Sequence, residues 1–377
     1  MIWLQVEEVT YYNNEKYNEF LSIYQKKEII LFPAEEDIKK NINSHTIFIA
    51  PYDVPKKYES IIPQVKINSV YGALTTQEHQ LGITSSQALE KRLGITIVNS
   101  SYSINDIGGA FGLKQWTKDY LIASKKGYKV KAILLAGIPG TGKTFFAKCF
   151  AGETERKLVF LNLSDILTKN EPIAELDKIH TYLNNFKNDK FIILLDEIEK
   201  MIGNQSPAEK QILGAFLTLL NEMHTETSKY KDLDILYIAT ANNLSSILDN
   251  NPEFLRRGRF DELFFINIPN INAAKDIIKL YAKKFNLESI FNICNVDDII
   301  NIIEDKYLKE NAQANRFPYS PSEIETFFKL LEFKQMARGQ ITEEIIIDVV
   351  DSVIPIIKTA KDGINAMIGQ RELFLEI

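Results

Sequence analysis

The sequence predicts an α/β protein whose centre is a parallel sheet with helices on both faces, followed by an all-helical region and preceded by a small α/β unit. From about residue 101, runs of Ile, Leu and Val occur without polar alternation, which is typical of strands buried on both faces of a parallel sheet. Segments with helical spacing of apolar residues separate these runs, and after about residue 270 only the helical spacing remains. We therefore predict three units, residues 1–100, 101–269 and 270–377.

The strands predicted for the central unit are continuous apolar runs, at residues 132–136, 158–161, 191–195, 235–239 and 263–268. The helices predicted for the last unit have apolar residues at helical spacing, at residues 273–285, 296–303, 321–331 and 342–354. Arg338-Gly339-Gln340 is predicted to be a hinge between two of these helices.

The first hundred residues contain two short strand-like runs, 29–32 and 46–50, and a segment with helical spacing at 14–25. Prolines at 51, 55 and 63 then predict loop and turn. No glycine-rich loop follows either strand. This favours a partner-binding or structural module over the alternative, a second active nucleotide site.

Composition excludes several classes of protein. A hydrophobic content of 45% and a charged content of 25% are ordinary for a soluble globular chain of this length, and the net charge of −6 argues against a general nucleic-acid partner. Two cysteines cannot form a disulfide framework, which predicts a reducing compartment. The four histidines form no HExxH motif, so no zinc protease is expected. Neither a signal peptide nor an apolar run long enough to span a bilayer is apparent.

The segment 137–144, GIPGTGKT, matches the phosphate-binding pattern GxxxxGK[ST] and lies between a predicted strand and a predicted helix. Glycines let backbone amides approach phosphate oxygens closely, and the helix N-terminus adds positive potential. Lys143 is expected to reach the β- and γ-phosphates, and the Thr144 hydroxyl to bind Mg²⁺. A chance glycine-rich turn is the alternative, which the strand and helix on either side disfavour.

Two acids, Asp196 and Glu197, follow the apolar strand 191–195. Such a strand delivers Asp196 beside the phosphate loop, where its carboxylate can hold Mg²⁺, and Glu197 can orient and deprotonate the attacking water. Acids at the end of a buried strand are costly without a cation, which favours a functional role. The alternative is a helix N-cap pair, because 198–200 could begin a helix.

The next strand, 235–239, leads into Thr240-Ala241-Asn242. An amide at that edge of the sheet can hydrogen-bond the γ-phosphate or the attacking water. Asn242 by itself would be an ordinary turn residue, since Asn-Asn is common in turns. Its position after the third strand of the series is what favours a catalytic role.

Three arginines, Arg256, Arg257 and Arg259, lie close together in the segment 254–261. A solvated charge cluster is one interpretation, because surface ion pairs contribute little stability. The other is an arginine finger that neutralises charge in the site of a neighbouring subunit.

These elements, in this order, resemble the AAA ATPase family. Residues 137–144 resemble Walker A, 191–197 Walker B, 238–242 sensor 1 and 255–261 the second region of homology, while 103–109 resembles the segment that opens the domain and packs on adenine. The resemblance covers most of 103–335. Within the family, 251–265 and 46–55 are similar to short AAA ATPases of cyanobacteria and plastids, which carry a degenerate α/β unit before a single ATPase domain. The expected location is therefore the cytoplasm or a plastid stroma.

The resemblance implies a P-loop nucleoside triphosphatase fold that binds ATP and Mg²⁺ and assembles into a hexameric ring. Glu197 and Asn242 would be catalytic, with Arg256 as the finger supplied to the next subunit and Arg259 as its supporting arginine. Thr144 and Asp196 would hold the metal ion. The implied nucleotide contacts are Asp106, Ile107, Gly108, Pro139, Gly140, Thr141, Gly142, Lys143, Thr144 and Phe145.

Two segments depart from the family pattern. Pro321-Ser322 replaces the usual Gly-Ala at the start of the lid helix, where nucleotide is normally contacted. The segment 164–173 lacks the aromatic-hydrophobic-glycine triplet with which family members grip a peptide, and offers Ile166 and Leu167 for apolar contact. This makes processive threading less expected than in a typical unfoldase.

Three classes of function remain open from the sequence. The leading hypothesis is an ATP-driven ring that remodels a protein partner bound by residues 1–100. The second is a nucleotide-dependent assembly switch or scaffold that threads no substrate. The third is a DNA-acting loader, which would need a basic pore or a DNA-binding appendage, and neither is apparent in the sequence.

Overall fold

The computed structural model of the protein describes most of the chain between residue 93 and residue 376 and shorter parts before it. The described residues are 2–6, 29–31, 33–41, 46–50, 53–67, 90, 93–161, 166, 172–184, 189–202, 207–222, 233–243, 252–255, 258–307, 309–310, 313 and 315–376. The predicted helix at 14–25, Leu167, Arg256 and Arg257 lie outside them. The chain divides into two compact units, Met1–Thr96 and Ile97–Ile377. The sequence-based boundaries at residues 100 and 269 stay predictions.

The first unit contains a four-stranded parallel sheet in the order β2-β3-β1-β4. Its described elements are β1 (Ile2–Val6), β2 (Ile29–Leu31), α1 (Glu35–Asn41), β3 (Ile47–Ala50), a 3-10 turn (Lys56–Tyr58) and β4 (Gln64–Ile67). Trp3 and Phe48 are fully buried at its centre, with ring centroids 5.8 Å apart. The two strands predicted from sequence are present, and β1 and β4 were missed because their mixed residues give no continuous apolar run.

The second unit is built on a seven-stranded sheet in the order β11-β10-β6-β9-β8-β7-β5. Its strands are β5 (Ile95–Asn99), β6 (Ala132–Gly137), β7 (Lys157–Leu161), β8 (Lys190–Leu195), β9 (Asp234–Ala241), β10 (Glu262–Ile266) and β11 (Leu375–Glu376). The described pairings from β7 to β11 are all parallel. The predicted fold class, a parallel α/β sheet followed by helices, is confirmed.

Burial explains why the central strands lack polar alternation. Every residue of β6 is buried, as are Phe191–Leu195 of β8. The register pairs Ala136 with Ala241 and Leu195 with Ala239. The carboxyl ends of β6, β8 and β9 therefore meet at one edge of the sheet, where α/β proteins place their sites.

The helices of the second unit lie between the strands and after them. They are α2 (Phe111–Lys125), α3 (Lys143–Glu153), α4 (Pro172–Asn184), α5 (Glu199–Ile202), α6 (Pro207–Glu222), α7 (Ile271–Lys284), α8 (Val296–Tyr307), α9 (Pro321–Arg338), α10 (Glu343–Ser352), α11 (Ile356–Thr359) and α12 (Lys361–Gly369). Single 3-10 turns occur at Ile104–Asp106, Pro252–Leu255, Glu288–Asn292 and Arg371–Leu373.

Helices α7 to α10 share one hydrophobic core, and all four were predicted from their apolar spacing. α9 is longer than predicted and ends at Gly339, whose φ of 81° is the left-handed conformation usual at a helix C-terminus. The predicted hinge is thus a glycine-terminated helix end followed by α10. Ser320 begins α9 with a capping box, in which Glu323 accepts the Ser320 N–H at 2.6 Å.

Residues 356–376 return to the central sheet, whereas the sequence predicted only helices there. β11 pairs in parallel with β10, and Ile357 and Ile364 pack against Ile138 and Ile268. A two-residue strand has no periodic signal, so only the tertiary contacts reveal it. None of the helices within the described ranges has both the length and the hydropathy that crossing a membrane requires.

A buried polar pair connects α4 to β9. His180 Nδ1 lies 2.7 Å from the Leu176 carbonyl oxygen, and Nε2 is hydrogen-bonded to the Tyr237 hydroxyl. Because a carbonyl only accepts, Nδ1 carries the proton, and the Tyr237 hydroxyl therefore donates to Nε2.

Replacing Tyr237 with Phe should destabilise the protein by about 1–3 kcal/mol, because the buried Nε2 acceptor loses its donor. Urea unfolding followed by circular dichroism measures this loss. The exposed Tyr128 provides the matched control, since Tyr128→Phe should change stability by less than about 0.5 kcal/mol. Equal unfolding midpoints for the two variants would show that the pair contributes nothing.

Candidate functional site

The segment 137–144 forms the loop predicted for phosphate binding, between β6 and α3. Gly142 has a φ of 90°, and a side chain there would meet nothing within 4 Å, so only the backbone conformation requires glycine. Gly137 is required for two reasons, because its φ of 147° also favours glycine. A Cβ at Gly137 would lie 2.1 Å from the Ile266 carbonyl oxygen of β10.

Lys143, the first residue of α3, is almost entirely buried within the loop. Its ammonium group donates to the carbonyl oxygens of Gly137 and Ile138, at 2.8 and 2.9 Å. Burial lowers the pKa of Lys143 to about 8, an effect opposed by the nearby carboxylates of Glu199, Asp196 and Glu197. The buried ammonium group thus interacts electrostatically with three carboxylates.

Asp196 follows β8 and is exposed to a cleft. Its Oδ1 accepts the Thr144 hydroxyl at 2.8 Å and the Thr240 hydroxyl at 2.6 Å. Oxygen ligands of this kind, a carboxylate and hydroxyl groups, suit Mg²⁺. The residues present therefore fit the metal ion that the sequence predicts, and Thr144 and Asp196 would hold it.

Glu197 has a φ of 53°, a left-handed conformation that is uncommon for a residue with a side chain. Its N–H donates to Thr240 Oγ1 at 2.9 Å, which holds the turn against β9. Its Oε1 accepts from Asn242 Nδ2 at 3.0 Å, and Oε2 forms an ion pair with Lys200. This carboxylate raises the pKa of Lys200. The structure thus brings together the acid and the amide that were predicted to be catalytic.

Thr240 is a site residue whose role sequence reasoning missed. It touches both acids, through its hydroxyl bonds to Asp196 and to the Glu197 N–H. It lies near the carboxyl end of β9, at the edge of the sheet where β8 leads into Asp196. That position was the available signal.

The segment predicted to contact the base is held by local hydrogen bonds. Asp106 accepts the Ser103 N–H at 2.6 Å in a capping box, and Glu153 of α3 accepts the Ile104 N–H at 3.1 Å. The Asp106 carboxylate is therefore engaged in holding the turn, which positions Ile107 and Gly108 in the wall of the cleft.

A cleft of about 740 Å³ joins these elements, which is within the range of ordinary ligand sites. Its lining includes every sequence-predicted nucleotide and metal residue, namely Asp106, Ile107, Gly108, Pro139, Gly140, Thr141, Gly142, Lys143, Thr144, Phe145 and Asp196. Glu197 and Asn242 line it too, and Phe145 also contacts the ring of Tyr102, at 5.1 Å between centroids.

The lid helix α9 lies directly on the phosphate loop. The Ser322 N–H donates to the Gly140 carbonyl oxygen at 3.1 Å, and both Pro321 and Ser322 line the cleft. Although Pro321-Ser322 replaces the usual Gly-Ala, a backbone contact with the loop is therefore still present. Pro321 has no N–H, so the donor is supplied by Ser322.

Residues 258–261, the described part of the arginine segment that follows residue 255, are anchored at the start of β6, at the end of the strand opposite to the phosphate loop. Asp261 Oδ2 accepts the N–H groups of Lys131 and Ala132, at 2.6 and 3.2 Å, and Lys131 Nζ donates to the Gly258 carbonyl oxygen. Strand β6 then extends about 17 Å from this anchor to the loop, at about 3.3 Å per residue. The partly buried Arg259 lies on this anchored segment, and Arg256 lies outside the described residues, so their predicted roles stay predictions.

Residues 133–268 match the family described as ATPase family associated with various cellular activities (AAA). The chain carries an AAA ATPase domain. The Walker A, Walker B and sensor 1 resemblances inferred from sequence all fall within this match.

The AAA domain also has curated relatives. The chain is 29% identical to the AAA domain-containing protein ycf46 of Guillardia theta, over 78% of this chain and 54% of that protein. It is 31% identical to the ycf46 protein of Gracilaria tenuistipitata var. liui, over 49% and 38%. It is 31% identical to the ATP-dependent zinc metalloprotease FtsH of Metamycoplasma arthritidis, over 49% and 26%. The chain thus spans about half the length, or less, of these relatives.

Replacing Thr240 with Val should weaken the Mg²⁺-dependent part of ATP binding to the AAA domain about tenfold, or about 1.4 kcal/mol. Val has no hydroxyl to hold the Asp196 carboxylate or to accept the Glu197 N–H. Titration of fluorescent ATP with Mg²⁺ and with EDTA separates this part from metal-free binding, which should not change.

Thr117→Val serves as the matched control, since Thr117 is fully buried and donates only to the Leu113 carbonyl oxygen in α2. That variant should bind ATP like the parent with or without Mg²⁺. If Thr240→Val shows the parental ratio of the two affinities, Thr240 does not support the metal site.

Proposed function

We propose that the protein is a Mg²⁺-dependent ATPase that works as a ring of identical copies and remodels a protein partner. The observation that carries the proposal is the convergence of Lys143, Asp196, Glu197 and Asn242 on one cleft. A buried cation, a metal-binding carboxylate and a hydrogen-bonded acid–amide pair are the groups that phosphoryl transfer to water requires.

Each group has a distinct role in this proposal. Lys143 and the backbone amides of the loop bind the phosphates, while Thr144 and Asp196 hold Mg²⁺, which neutralises phosphate charge when bound. Glu197 accepts the proton of the attacking water, and Asn242 fixes the direction of the Glu197 carboxylate through its 3.0 Å hydrogen bond.

Replacing Glu197 with Gln should leave Mg-ATP affinity within about twofold of the parent and lower turnover about 100-fold or more, because Gln cannot accept the proton. Phosphate release measures turnover, and fluorescent ATP measures binding. The matched control is Glu304→Gln, a carboxylate on α8 that does not line the cleft. Parental turnover by Glu197→Gln would exclude Glu197 as the base.

The ring is inferred from the arginine segment. Because Asp261 and Gly258 are anchored at the start of β6, the backbone of Arg259 between them lies about the length of that strand away from the loop of its own chain. An arginine placed there can serve a neighbour's cleft, which requires a head-to-tail arrangement. We propose that Arg256 is the finger, that Arg259 supports it, and that the ring has six subunits as in related AAA proteins.

Mixing two inactive variants tests this arrangement. Arg256→Ala and Glu197→Gln should each be inactive alone, and an equal mixture should recover about one quarter of the parental activity. One quarter is the fraction of sites that pair an intact Glu197 with an intact neighbouring Arg256. No recovery after subunit exchange, verified by mixed-mass complexes, would contradict action between subunits.

The partner is proposed to bind the first unit, which contains a parallel sheet. No glycine-rich loop follows its strands in the sequence, which favours partner binding over a second nucleotide site. The proteolysis named for the FtsH relatives is not proposed here, since this chain has no HExxH motif. The proposed compartment is the cytoplasm or a plastid stroma, which the two buried, unbridged cysteines support.

A nucleotide-dependent assembly switch is the second candidate, and Ile166 favours it. Ile166 is an apolar residue of the segment 164–173 that could grip a peptide, and it is buried with 1% of its surface exposed. A buried side chain cannot hold a passing polypeptide. Turnover stimulated by an unfolded polypeptide would favour the remodeller, and slow turnover that no polypeptide changes would favour the switch.

A further inference from the structure

The sensor residue Asn242 lies just beyond the end of β9, where strand pairing no longer fixes the backbone. Its side chain must nevertheless point at Glu197, since Asn242 Nδ2 donates to Glu197 Oε1 at 3.0 Å. A residue past the end of a strand needs another constraint to hold this direction.

Glu199 provides a contact of the required kind. It begins α5, two residues after Glu197, and its Oε1 accepts the backbone N–H of Asn242 at 3.0 Å. The side chain of Glu199 thus binds the backbone of Asn242, and the side chain of Thr240 on β9 binds the backbone of Glu197. Glu197 and Asn242 are therefore held in a closed set of hydrogen bonds.

The environment of Glu199 is unusual for a carboxylate. Its Oε2 is buried and has no hydrogen-bond partner, and burial raises the pKa of Glu199. A buried oxygen without a partner is costly, so a purely structural role would be served better by a smaller or apolar residue. Glu199 is also absent from the lining of the cleft, so it acts through other residues.

We infer that Glu199 is a positioning residue for ATP hydrolysis, which aims the Asn242 amide at Glu197 by holding the Asn242 backbone. This inference rests on the proposed ATPase function. For this role, the residue at position 199 needs an acceptor oxygen at the distance that a Glu or Gln side chain reaches, and it does not need a negative charge.

The competing explanation is electrostatic, because Glu199 is the carboxylate that most strongly raises the pKa of the buried Lys143. The two explanations separate by kinetics. Positioning of Asn242 affects the chemical step and hence kcat, whereas charge near Lys143 affects binding of the phosphates and hence KM.

Three substitutions at Glu199 distinguish the effect of its side-chain length from the effect of its charge. Glu199→Ala should lower kcat about 10- to 100-fold with KM for Mg-ATP within about twofold, because a small misplacement of a catalytic group is costly. Glu199→Gln keeps the acceptor without the charge and should recover most of the lost kcat. Glu199→Asp keeps the charge but shortens the side chain by one bond, about 1.5 Å, and should behave like Glu199→Ala.

A double-mutant cycle tests whether Glu199 acts through Asn242. In an Asn242→Ala background, Glu199→Ala should cause no further loss of kcat, because the residue it positions is gone. Additive losses would overturn the inference. So would parental kcat in Glu199→Ala, or recovery by Glu199→Asp rather than Glu199→Gln.

Two controls keep these outcomes distinct. Thermal melts and fluorescent-ATP binding by each variant establish that it folds with a formed cleft, and Glu304→Ala removes a carboxylate remote from the cleft and should keep the parental kcat. Absence of turnover in the parent protein would refute the proposed function itself. Parental turnover with an unaffected Glu199→Ala would refute only the role of Glu199.

Discussion

The site depends on one carboxylate that joins two strands of the sheet and a helix. Asp196, at the end of β8, accepts hydroxyl groups from Thr144 on α3 and from Thr240 on β9. Because side chains on a strand alternate, a register slip of one residue would turn Thr240 to the opposite face. The fully buried strands fix that register, since a slip would also expose their apolar side chains. Core packing therefore determines the geometry of the polar edge.

The lid wall of the cleft is tied to the same loop. Ser322 donates to the Gly140 carbonyl oxygen, and the partly buried Glu323 carboxylate accepts N–H groups from Ser320 and from Ile356. The segment that Ile356 begins packs on Ile138 of the loop. A change in the angle between lid and sheet must therefore break the Ser322 bond or carry the loop with it. Either course couples the lid to the phosphate-binding residues.

The sequence predicted the parts of the fold that produce strong local patterns. The continuous apolar runs gave the five central strands, and GxxxxGK[ST] gave the loop, because both depend on neighbours in sequence. The roles of Thr240 and Glu199 come from contacts between residues 43 or 44 positions apart, which no local pattern contains. Strand β11 is recognisable only by its partner β10. Local signals thus located the site, and long-range contacts determined how its side chains are held.

The motif at 137–144 combines two kinds of constraint that a pattern match treats alike. Both glycines have a positive φ, 147° at Gly137 and 90° at Gly142, but only at Gly137 does the backbone of β10 also pass where a Cβ would be. The first glycine therefore serves packing of the sheet as well as the backbone conformation, and the second serves the shape of the loop alone. Loss of nucleotide binding after substitution of Gly137 would report disruption of the β6–β10 pairing as well as of the loop. The glycines of this phosphate-binding motif thus reflect the packing of the sheet as well as the binding of phosphate.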